Sequence, residues 1–71
     1  MDKIEIRKVN YRPIVELVES VKGNVRIIRG KDQYFYIEDG VDYYILMGQI
    51  EYTKENLTSI IKKYIDLKPS K

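Results

Sequence analysis

Residues 26–47 read RIIRGKDQYFYIEDGVDYYILM, three runs of β-branched and aromatic residues interrupted only by Gly30-Lys31-Asp32 and Glu38-Asp39-Gly40. No other feature of the chain restricts its fold as much. β-branched and ring side chains lose rotamer freedom in a helix and pack well on a pleated surface, and short glycine-bearing breaks between such runs fit hairpins better than crossovers. The spacing predicts an antiparallel meander with strands at residues 25–29, 33–37 and 41–47. Four of the seven tyrosines and the single phenylalanine fall in it.

The flanking segments complete the pattern. Residues 3–9 (KIEIRKV) alternate, with Ile4 and Ile6 on one side and Lys3, Glu5 and Arg7 on the other, as a half-buried strand does, and Asn10 ends them. Pro13 suits a first helical turn. After it Ile14, Leu17, Val18 and Val21 recur at helical spacing, Glu16, Glu19 and Lys22 stay outside, and Gly23 is placed as a C-terminal stop. A second helix has a capping residue in Thr53, a hydrophobic staple in Tyr52 and Leu57, and a stripe of Leu57, Ile60, Ile61, Tyr64 and Ile65. Lys68-Pro69 stops it, and the last three residues are expected to fray. The expectation is one α+β domain over residues 1–71, β-α-β-β-β-α, with two amphipathic helices packed on one face of a mostly antiparallel three- to four-stranded sheet.

Composition narrows the chemistry. With no cysteine and no histidine the chain lacks disulfides, thiolate ligands, the commonest zinc ligand and the usual general base at neutral pH. Neither a nucleophile–histidine set nor a glycine-rich phosphate loop is present. Glu38, Asp39 and Asp42 lack the every-second-residue ligand ladder of a calcium loop and read better as a hairpin tip. The reading is therefore a non-enzymatic protein without catalytic residues, metal or cofactor. No apolar run reaches the ~18 residues that span a bilayer, and no secretory leader is visible, which points to the cytoplasm. Abundant Ile, Lys, Glu and Tyr, without Cys or Trp, suit a thermophile or an AT-rich genome.

The hairpin register decides what the tyrosines do. A two-residue Asp39-Gly40 turn pairs Glu38 with Val41 and leaves both faces apolar. A three-residue loop, with Gly40 left-handed, pairs Ile37 with Val41 and gathers Phe35, Ile37, Val41, Tyr43, Ile45 and Met47 on a core face. The reading takes the second. A three-residue loop at residues 30–32 then adds Val25 and Ile27 to the core and Arg26 and Ile28 to the outer face. Two outer rows result: Arg26, Tyr36 and Asp42, which satisfy one another, and Ile28, Tyr34 and Tyr44, with Leu46 beside them. Such an apolar strip is expected to dock a protein partner or a second copy of the chain, through Ile28, Tyr34, Tyr44, Leu46, Arg26 and Tyr36.

Nucleic acid is the alternative partner, with tyrosines stacking on bases and Arg26, Arg29, Lys31, Lys54, Lys62 and Lys63 meeting phosphates. The order α-β-β-β-α over residues 13–66 resembles the double-stranded-RNA-binding domain, which implies phosphate contacts at the start of the second helix. There this chain reads Thr53-Lys54-Glu55-Asn56, one base beside an acid instead of a lysine cluster. Charge also opposes this partner. Residues 32–53 carry five acids and no base, whereas residues 1–31 hold eight bases against four acids and residues 54–71 five against two.

Overall fold

The computed structural model describes residues 4–48 and 51–67. Strands β1 (Ile4–Val9), β2 (Val15–Lys22), β3 (Val25–Gly30), β4 (Phe35–Asp39) and β5 (Asp42–Gly48) precede one helix, α1 (Lys54–Leu67). The strands form one antiparallel sheet in the order β1-β5-β4-β3-β2. The domain is therefore mostly β. Five strands and one C-terminal helix stand in place of two helices on three or four strands. Lys3, the Lys68-Pro69 stop and the fraying of the last three residues lie outside the described residues.

The segment expected as the first helix is β2, and its disguise has a physical cause. Val15, Val18 and Val21 pair with Gly30, Ile28 and Arg26, alternate residues of β3, so the three valines share one face. The register shifts between Val15 and Leu17 and again between Val18 and Ser20, which makes Glu16 and Glu19 extra residues. Each bulge adds one residue to the strand period of two, and the resulting period of three imitates a helical stripe. Gly23 accordingly caps no helix. At φ 64° it opens a two-residue turn between Lys22 and Val25, with Asn24 at negative φ, the pattern of a type II′ hairpin.

The β4–β5 hairpin uses the same turn, one residue later than the two-residue register and starting two residues later than the three-residue loop. Asp39 pairs with Asp42, and Gly40 (φ 66°) and Val41 form the tip. Ile37 lies opposite Tyr44 instead of Val41, a shift of three residues, and an odd shift exchanges the faces. Phe35, Ile37, Tyr44 and Leu46 thus share one face, and Tyr36, Tyr43 and Ile45 the other. The β3–β4 connection shifts by an even number, Arg29 opposing Phe35, so Val25 and Ile27 stay on the side of Ile37.

Each face has its own cover. Leu57, Ile60, Ile61 and Tyr64 of α1 bury against Val25, Ile27, Ile37 and Leu46, with Ile4, Ile6, Phe35, Tyr44 and Tyr52 packed around them. Each such aliphatic or ring burial contributes about 1.5–3 kcal/mol. The helix begins where its cap predicts: Thr53 Oγ1 accepts the Asn56 backbone N–H at 3.2 Å, and Tyr52 stacks on Phe35 with ring centroids 4.0 Å apart. On the second face Ile28, Tyr36 and Tyr43 are buried with Val9 and Ile45.

That second face is closed by residues 10–14, a strap joining β1 to β2. The two strands run parallel at opposite edges of the sheet. In a flat sheet the strap would have to cover ~19 Å across four strand spacings and ~13 Å along them, about 23 Å in all, whereas six residue steps reach at most ~20–22 Å. The sheet must therefore roll, and the bulges of β2 supply the bend. The strap is tied down at Ile14, whose carbonyl accepts the Lys31 N–H at 2.9 Å, at the buried Pro13, and at Tyr11, whose hydroxyl lies 3.2 Å from that of Tyr36.

Candidate docking surface

The β4–β5 register divides the tyrosine strip expected from the sequence between the two faces. Ile28 and Tyr36 are 0% exposed beneath the strap, whereas Leu46 is buried and Tyr44 half-buried on the helix side, the Tyr44 ring 5.1 Å from that of Tyr64. Tyr34 alone of the hairpin tyrosines stays well exposed, at 51%, in the connection before β4. The expected row of Arg26, Tyr36 and Asp42 is replaced by Arg26, Glu38 and Tyr43. The Arg26 guanidinium pairs with the Glu38 carboxylate, which also accepts the Tyr43 hydroxyl at 2.8 Å.

These tyrosines act as fasteners. Tyr36 donates to Asp32 at 2.5 Å and Tyr64 donates to Asp39 at 2.8 Å. Burial first, then the carboxylate each phenol binds, pushes both hydroxyls well above the usual tyrosine range. Burial alone raises Tyr52. The acids at the hairpin tip are engaged as well: Glu38 by Arg26 and Tyr43, Asp39 by Tyr64, and Asp42 by Lys8 at 3.6 Å. Among the described residues no three acidic side chains sit where they could hold a metal ion.

The cations proposed for phosphate contact do not converge on an aromatic platform. Arg26 is held by Glu38, and Arg29 lies on the helix side of β3 with Nε 3.8 Å from the Glu16 carboxylate. Lys31 sits in the β3–β4 turn, Lys54 opens α1, and Lys62 and Lys63 lie on the solvent side of the helix.

The apolar surface that does reach solvent is on β2. Val15, Leu17, Val18 and Val21 are 40, 46, 38 and 60% exposed, and Ile14 just before them 68%. Among the described residues no further strand pairs with β2, although α1 lies close to it, so its outer backbone N–H and C=O groups have no partner strand. The other edge is protected. β1 turns Glu5 and Arg7 outward on the strap side, joined at 3.1 Å, and Lys8 reaches Asp42. A cleft of about 510 Å³ between the strap and the β4–β5 tip is lined by Lys8, Tyr11, Arg12, Val41, Asp42 and Tyr43 among others, with no buried charge directed into it.

None of these β2 residues was among the candidates read from the sequence. The signal was present as a triplet repeat, VEL-VES-VKG from residue 15 to residue 23. A valine every third residue, each followed by a charged side chain, fits a doubly bulged strand as well as it fits a helical stripe.

Comparison with known proteins returns no match to a family model, to a curated protein or to a solved structure. Among the described residues no helix is long and apolar enough to cross a membrane.

Proposed function

We propose that the chain is a small non-enzymatic interaction module of the cytoplasm, working without a cofactor, that docks a protein partner or a second copy of itself along the outer side of β2. The observation that carries this reading is the coincidence, on one strand, of four exposed aliphatic side chains and an unpaired sheet edge. Apolar area gains about 25 cal/mol per Å² on leaving water, and the open backbone groups supply direction and register to an added strand. The nucleic-acid reading has less support, because Tyr36 is buried, Tyr44 is partly covered by α1, and Arg26 and Arg29 each face a carboxylate.

A photo-crosslinking amino acid placed at Val18 and, separately, at Arg7 on β1 tests the proposal in cells of the native host. Discrete adducts at Val18 with none at Arg7 are expected. No adduct at Val18, or the same adducts at both positions, contradicts it.

A further inference from the structure

We infer that the occupant of the β2 edge is a second copy of the chain, paired antiparallel across a two-fold axis at Val18 so that two five-stranded sheets become one of ten strands; this rests on the edge-docking function proposed above. The bulges make the strand self-complementary. Counting only residues on the strap-side face, Val15, Val18 and Val21 are evenly spaced, so reversing the strand about Val18 lays Val15 on Val21 of the second copy and Val18 on its own equivalent. The row through the axis is then apolar from Tyr36 and Ile28 through both Val18 side chains to Ile28 and Tyr36 of the other copy. On the helix-side face Leu17 meets Ser20.

One charge pair fits the same register. Lys22 lies opposite Ile14 of the second copy, and its diagonal neighbour there is Glu16, ~7–8 Å away and within reach of two long side chains. Symmetry repeats this pair. The alternative occupant from the same chain, β1 of a neighbouring molecule, would place Glu5 and Arg7 against the valine row and desolvate both charges. Like-charged contacts also arise in the two-fold arrangement, Glu19 with its own equivalent beside the axis and, because Glu16-Leu17 lies opposite Glu19-Ser20, Glu16 with Glu19 of the other copy on each side. They limit affinity. Two eight-residue strands cover roughly 1,000 Å² in total, the low end of specific interfaces, so the dimer forms reversibly with concentration.

The chain has no cysteine, so a single engineered one reports the axis. Directly opposed residues of antiparallel strands have Cα atoms ~4.5–5.5 Å apart, inside the range a disulfide bridges. Light scattering with size exclusion should give twice 8.5 kDa at high concentration and 8.5 kDa on dilution. Val18→Cys should oxidise to a disulfide dimer at least tenfold faster than Val41→Cys, which sits 91% exposed at the hairpin tip. Glu19→Gln should strengthen the dimer several-fold, with the far-ultraviolet dichroism unchanged and the mass not exceeding twice 8.5 kDa. A mass of 8.5 kDa at every concentration, equal oxidation of the two cysteine variants, or weakening by Glu19→Gln each overturns the inference. A monomer whose Val18 crosslinks to a different protein in cells would overturn it while leaving the edge-docking function intact.

Discussion

The two edges of the sheet solve the same problem in opposite ways. β1 keeps strict alternation, so Ile4 and Ile6 go under the helix and Glu5 and Arg7 go outward, and the edge that faces solvent is charged. β2 breaks alternation twice. Its bulges bend the strand far enough for a five-residue strap to close the second face, but they also bring aliphatic residues to both sides of the strand and leave them exposed. The difference teaches that the device that rolls this sheet also leaves aliphatic side chains exposed along one edge.

The largest expected effect comes from making the edges alike. Val18→Lys together with Val21→Lys gives β2 the charge of β1 and should hold the mass at 8.5 kDa at all concentrations in sedimentation, with the far-ultraviolet dichroism unchanged. The reverse change, Glu5→Val with Arg7→Val, gives β1 the apolar character of β2. A second adhesive edge allows open-ended addition, so light scattering should show oligomers that keep growing with time.

Smaller effects separate the fold from its edge. Tyr36→Phe removes the hydroxyl that lies against Tyr11 and Asp32 and should cost about 1–3 kcal/mol in denaturant unfolding. The buried phenols Tyr36 and Tyr64 bind protons more tightly folded than unfolded, so the unfolded state loses its protons first as pH rises. Stability should be steady up to the ordinary tyrosine value of about 10 and fall above it, and Tyr36→Phe should flatten that fall. The smallest change lies far from the edge comparison: Gln33 holds φ 75°, and Gln33→Gly should add about 0.5–1 kcal/mol without altering the oligomeric state.

Local chemistry made much of this architecture legible in the sequence. The alternation of Ile4 to Arg7, the Thr53 cap, the Tyr52–Leu57 staple and the α1 stripe all depend on neighbours a few residues apart, and each is found where the pattern puts it except that Ile65, expected in the stripe, is exposed. β2 was illegible because a bulged strand and an amphipathic helix share a three-to-four-residue spacing. The hairpin faces were misassigned through a premise about burial. A register that leaves both faces apolar looks wrong for a sheet covered once, and is right for one covered by a helix on one side and a strap on the other. The strap itself carries no periodic signal. Its effect follows from strand order, which places β1 and β2 at opposite edges, and of the tyrosines expected to dock a partner Tyr36 and Tyr44 were taken into the two cores while Tyr34 stayed exposed.

Residue-resolved amide hydrogen exchange of the unmodified chain, compared at low micromolar and at near-millimolar concentration, tests the central claim most directly. The account predicts that the outward amides of β2 gain protection on concentration while those of β1 exchange at the same rate in both samples. Equal behaviour of the two edges, or protection gained on β1 alone, would contradict it.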